Sequence, residues 1–207
     1  MAKAIEQKGA LTVGHAGLGV RAGAAGSVRQ EVHDGDTVSV RAIGNFGVRL
    51  LGVDAPEISF QLPGDSSFIG LSHPSWESYL ADPFAAHLPP FNPPLKQSLL
   101  DYLRPRCGPG AAANHYLHAA AAENAFEQLV LSDLTTMSAD DETFRFFLVF
   151  AHEVTDRYGR LLCFINRDQP RDNVPEPRPK SYNERLLYQG MVCPYFIWPN
   201  LNPFRTM

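Results

Sequence analysis

The chain lacks paired cysteines, a long apolar run and an excess of positive charge, and each lack removes a class of protein. Its three cysteines, Cys107, Cys163 and Cys193, are odd in number and far apart, with no Cys-x-x-Cys spacing for zinc or redox work. Such a set argues for a reducing compartment. No apolar run approaches the roughly 18 to 20 residues that a membrane span requires. With 44% hydrophobic residues in 207, the sequence reads as a soluble globular protein with no membrane partner. The opening MAKAIEQKGALTVGHAGLGVRAGAAG lacks the basic start and continuous apolar stretch of a secretory signal. That leaves a cytoplasmic protein or the processed form of an exported one. Its GLGVRAGAAG scatters glycines with no Lys-Ser or Lys-Thr behind them, so it does not read as a phosphate loop. The formal charge is -4, whereas a protein that grips nucleic acid by neutralising phosphates is usually basic over its binding face. Any nucleic-acid role must rest on a local site. Residues 156 to 185 carry seven Arg or Lys against five acids, a small excess.

The length suits one compact domain with an elaboration, or at most two small ones. Residues 1 to 26, rich in Gly and Ala, read as an N-terminal extension with the composition of a flexible arm. SVRQEVHD (27 to 34), TVSVRAI (37 to 43) and NFGVRLLGVD are short β-branched or apolar stretches separated by turn signals, which predicts a three-stranded meander. Nine of the seventeen prolines then fall between residues 58 and 113, which reads as a long, partly ordered insertion. ANHYLHAAAAENAFEQLVLSD is the strongest helix, with Asn114 as its expected cap. TFRFFLVFAHEV (143 to 154) and GRLLCFIN (159 to 166) read as strands, with the phenylalanines of the first assigned to the core. SYNERLLYQG is a second helix, opened by Ser181 with Glu184 and closed by Gly190. Three strands, a helix, two strands and a helix suit a mainly β, α+β protein built on a five-stranded Greek-key barrel, the OB-fold. A single such domain would cover 27 to 207, interrupted by 58 to 113.

Three clusters carry charge where ordinary strand and turn chemistry explains only part of it. HDGDTV (33 to 38) is a turn in its own right, the DAPE of VRLLGVDAPE (48 to 57) is a strand end, and TDRYGR (155 to 160) is a charged hairpin. Taken together they meet the needs of phosphodiester cleavage. That reaction wants a hard cation on oxygen ligands, a carboxylate to handle water, and cationic donors on the phosphate. Asp36 and Asp54 can supply the first, Glu57 the second, and Arg49 and Arg160 the third. Arginine suits the last role because its planar fork bonds two phosphate oxygens at once. Strict alternation sets Arg49 and Asp54 on opposite faces of a strand. A common site therefore needs a bend near Gly52.

HDGDTVSV, VRLLGVDAPE and TDRYGR, in that order, resemble the staphylococcal nuclease (thermonuclease) family over residues 27 to 57 and about 114 to 200. The resemblance implies a calcium-dependent nuclease on an OB-fold barrel, cutting DNA or RNA with little sequence preference on the 5' side of phosphorus. Residue by residue it implies Asp36, Asp54 and the main-chain carbonyl of Ala55 as calcium ligands, with Asp34 and Thr37 supporting the hydrated metal. It implies Glu57 as the residue that activates or orients water, and Arg49 and Arg160 as phosphate binders. Arg157 and Tyr158 match a basic residue and a tyrosine beside a terminal phosphate. The aromatic stretch YFIW supplies Tyr195, Phe196 and Trp198 as candidates for stacking a base. NPFRTM falls about where the family enters a final helix.

Two rival readings follow from the same residues. One is an OB-fold binding module for nucleic acid or protein with an eroded site; the presence of Asp36, Arg49, Asp54, Glu57 and Arg160 together speaks against it. The other gives the insertion the main role, as an arm for protein contact or self-association. His115 and His118, three apart on a helix, read as a surface pair rather than a metal site.

Overall fold

The computed structural model describes residues 3–18, 40–42, 44–140, 143–168 and 179–196. In chain order its strands are β1 (Ile5–Lys8), β2 (Leu11–Gly14), β3 (Ala16–Leu18), β4 (Val40–Ala42), β5 (Val48–Leu50), β6 (Val53–Asp54), β7 (Ser59–Gln61), β8 (Phe68–Gly70), β9 (Phe146–Thr155), β10 (Leu161–Arg167) and β11 (Cys193–Pro194). The helices are α1 (Pro74–Ala81), α2 (Gln97–Leu103), α3 (Ala111–Met137) and α4 (Tyr182–Tyr188). The protein is α+β, with its strands in several small sheets. Among the described residues these sheets do not close into a barrel. The chain divides into two compact units, Met1–Gly52 with Arg145–Asn183 and Tyr195–Met207, and Val53–Phe144 with Glu184–Pro194.

In the first unit, β1 and β2 form an antiparallel hairpin and β3 pairs with β4. The N-terminal segment thus contributes three strands. Among the described residues of this unit the remaining strands form a three-stranded sheet in the order β5-β10-β9. The LLCFI run of β10 is apolar without alternation because it lies between two strands, parallel to β5 and antiparallel to β9. Leu161, Leu162, Cys163 and Ile165 are accordingly buried. Burial also pushes the Cys163 thiol up, which marks it as an inert core residue. Of the expected meander, SVRQEVHD and most of TVSVRAI lie outside the described residues; among those described, β4 takes β3 as its partner and β5 takes β10 rather than β4. The phenylalanine assignment is corrected too. Among the described residues β9 is the outer strand of its sheet, and Phe146, Phe147 and Phe150 remain 39 to 48% exposed.

Asn183, 2% exposed, ties this sheet together. Its Nδ2 donates to Leu51 O at 2.8 Å and Cys163 O at 3.4 Å, while Oδ1 accepts from Ile165 N at 3.0 Å. One amide side chain thereby satisfies the backbone where β5 leaves β10, a position that would otherwise bury unpaired polar groups.

The second unit turns the proline-rich segment into folded structure. β7 and β8 form a hairpin, and α1 packs on α3 around Leu71, Trp76 and Ala112. Pro74 opens α1, where a missing N–H is harmless, and His73 Nδ1 accepts from Ser75 N. Helix α3 starts earlier than expected. Its cap is Gly110 at φ 84, whose N–H donates to Glu77 Oε1 at 2.6 Å. Asn114 lies one turn inside, bonded to Gly110 O. On the buried side of α3, Asp133 accepts from Arg185 Nη2 at 2.7 Å. α4 closes as expected at Gly190, φ 69, with Gly190 N donating to Leu187 O and Met191 N to Leu186 O, the paired bonds of a Schellman ending.

Candidate functional site

Asp34, Asp36, Thr37 and Trp198 lie outside the described residues. The remaining candidates fall into two local constructions, one in each unit.

The first is the TDRYGR turn between β9 and β10. Asp156 organises it: Oδ1 accepts from the backbone N–H of Tyr158 and of Arg160, both at 2.9 Å, and Oδ2 accepts from Arg160 Nε at 2.7 Å. Gly159 takes φ 77, and a Cβ there would come within 2.8 Å of Ile5 Cγ2, so this position requires glycine. Burial pushes the Asp156 carboxyl up, but the hydrogen bonds from Arg160 and Tyr158 outweigh it and leave the group below the usual carboxylate range. The result is an arginine held by its Nε edge. Neither Nη of Arg160 has a partner among the described residues, which leaves two donors for an anion. Arg157 and Arg160 both approach the Tyr158 ring, at 4.7 and 5.4 Å from its centroid, and Arg157 also donates to the Tyr158 hydroxyl. The aliphatic stem of Arg160 rests on Gly47, just before β5. The β5-β10 register sets Arg49 opposite Leu162, and by alternation Arg49 is on the side of the sheet that Arg160 enters.

The second construction is the loop that ends VRLLGVDAPE. β5 stops at Leu50, a turn follows, and Gly52 takes φ 78 before β6 begins at Val53. The two short strands then choose different partners, β10 for β5 and β11 for β6. The backbone does break at Gly52, as the alternation of Arg49 and Asp54 requires. Asp54 is half-buried at the end of β6, and Ala55 and Glu57 are exposed in the loop beyond it. The Glu57 carboxylate has no hydrogen bond or ion pair among the described residues. Its main-chain carbonyl is anchored by His115 Nε2 at 3.1 Å. His115 therefore braces the loop from α3, a role its spacing from His118 did not suggest. Among the described residues no group of three or more His, Cys, Asp or Glu comes together around a metal-sized space. The donors in this loop, Asp54's carboxylate and Ala55's carbonyl, are hard oxygens of the kind calcium takes.

Tyr195 and Phe196 are exposed, and Tyr195 N donates to Gly52 O at 2.9 Å, which fixes the aromatic segment to the same turn. Asp156 and Asn183 were not singled out from the sequence, and His115, expected as half of a surface pair, instead braces the Glu57 carbonyl. Only Asp156 carried a signal, an acid four residues before an arginine with a Tyr-Gly turn between them. No family model, curated protein or solved structure matches the chain.

Proposed function

We propose that the chain is a calcium-dependent nuclease, a hydrolase that cuts DNA or RNA with low sequence specificity on the 5' side of phosphorus. The reading carries with it an OB-fold barrel. The observation that supports it most is the Asp156-centred turn, which spends its own carboxylate to hold Arg160 by one edge and leaves the other edge for an anion.

In this reading the Nη donors of Arg160, with Arg49, bind phosphate oxygens and stabilise the charge that builds on them as water adds to phosphorus. Glu57, exposed and without a hydrogen-bond partner among the described residues, takes the water's proton or orients the molecule for attack. Arg157 and Tyr158 hold a neighbouring phosphate. Calcium, held by Asp36, Asp54 and the Ala55 carbonyl, would supply positive charge to the phosphate oxygens when bound.

Incubation with single-stranded and duplex DNA and with RNA, in calcium and then in chelator, tests the reading. Cleavage should require calcium, and Glu57→Ser and Arg160→Gln should each lower it about 100-fold or more while the protein stays folded by circular dichroism. Absence of cleavage by the unaltered chain at every calcium concentration would favour a nucleic-acid or protein binding module instead.

A further inference from the structure

The second unit contains a cavity that the reaction above does not use. Its volume is about 430 Å3, within the range of small-molecule sites. Three aromatic rings line it. Phe60 meets Trp76 at 6.1 Å and 70°, and Trp76 meets Tyr79 at 5.9 Å and 81°. An edge-to-face contact covers a face of only one ring of the pair, and while Trp76 is buried in the core, Phe60 is 37% exposed and is the ring most open to a planar guest.

The polar groups on the wall are of a particular kind. Gln61 donates its Nε2 to Ser66 O, and its Oε1 accepts nothing among the described residues. His115 donates through Nε2 to Glu57 O, so in the neutral ring Nδ1 is an acceptor. The Tyr79 hydroxyl has no partner among the described residues, and burial pushes its ionisation up, which keeps it protonated and able to donate or accept. Arg106 brings a cation to the margin, braced on the Tyr102 ring at 3.7 Å and on Tyr102 O at 2.6 Å. Aromatic faces, two acceptors and one nearby cation suit a planar heteroaromatic ring that bears donors and is attached to an anion.

Position relates this cavity to the proposed chemistry. Phe60 follows Glu57 by three residues, a separation of roughly 10 Å at most, and His115 touches both the Glu57 carbonyl and the cavity. We propose that the cavity is a base-binding subsite, which takes the base of a nucleotide next to the phosphate that the water handled by Glu57 attacks. The proposal rests on the nuclease reading, and its contacts belong to residues 58–113 and α3 rather than to the Tyr195-Phe196 segment. The acceptors Gln61 Oε1 and His115 Nδ1 favour adenine and cytosine, whose exocyclic amino groups donate, over thymine and uracil.

Adenosine, thymidine and indole are titrated by calorimetry against the full chain in chelator, where no cleavage occurs. Two variants accompany the unaltered protein. Phe60→Ala removes a ring that is 37% exposed and so leaves the fold intact, and Ala111→Leu fills the cavity from its wall. Adenosine should bind more tightly than thymidine, and both variants should weaken it about 10-fold, the loss of one stacking contact. In calcium, both should also flatten a preference for adenine-rich over thymine-rich oligonucleotides. Binding of indole without adenosine overturns the proposal and identifies a general apolar cavity. Equal adenosine affinity in all three proteins overturns it as well. Nucleoside binding without cleavage supports the subsite and removes the nuclease, whereas cleavage without nucleoside binding removes the subsite alone.

Discussion

Asp156 shows how one carboxylate can be given up to position another charge. It is not offered to a ligand; its oxygens are taken by two backbone N–H groups and one guanidinium edge. Because these bonds hold its folded-state ionisation below the usual value, its contribution to stability is fully present above the unfolded carboxylate range, near pH 4. That contribution is lost as the pH falls through the lower folded value. Asp156→Asn keeps an acceptor but loses the charge. The variant should be less stable than the unaltered protein by about 1 kcal/mol at neutral pH, a figure kept small by solvent screening at this surface turn. The gap should close as the pH is lowered below 4. Urea midpoints measured for both proteins from pH 7 to pH 2 check this, and a gap that persists unchanged into acid would show that the charge is not what holds the turn. The turns that carry the candidate residues were legible at this scale because turn chemistry is local: Gly52 and Gly159 announce bends, and both take positive φ. Asn183 was not legible, because nothing near it in sequence names the carbonyl of Leu51 that it satisfies.

Elements were legible in kind more often than in partnership. The helical texture of residues 113 to 133 and of 181 to 190, and the apolar runs that became β9 and β10, follow from propensity and period. Which strand takes which neighbour depends on contacts across the whole chain, and there local reading failed: β5 joins β10 in parallel rather than β4 in a meander. Prolines concealed most of the order between 58 and 113, where only PLKQSLLDYLR reads as helical and becomes α2, since they break periodicity without preventing a hairpin and α1 from packing against α3. The β5-β10 junction gives the prediction that belongs to this scale. Asn183→Leu preserves volume but strips partners from Leu51 O and Ile165 N, both in the buried end of the parallel pair. A loss of about 2–4 kcal/mol in unfolding free energy should follow, read from the urea midpoint. A shift below half a kilocalorie per mole would mean that water or a relaxed backbone satisfies both groups.

At the scale of the whole molecule, charge sets the terms on which a polymer could be held. A chain at -4 has no broad cationic field to draw phosphates in, so the proposed function assigns phosphate contact to a few side chains, Arg49, Arg157 and Arg160. Counterion release makes that assignment measurable, because each phosphate neutralised on duplex DNA contributes about 0.9 to the slope of log affinity against log salt, and about 0.7 on a single strand. Three contacts should therefore give a slope of roughly -3 on a short duplex and about -2 on a single strand, far shallower than for a strongly basic nuclease. Fluorescence anisotropy in chelator, over a range of sodium chloride concentrations, reads both slopes without interference from cleavage. Arg160→Gln should make each slope shallower by about one contact, whereas Lys180→Gln should leave both unchanged. A duplex slope twice as steep would place the other basic residues of 156 to 185 on the nucleic acid as well, and would replace the narrow, arginine-held phosphate site with an extended binding face.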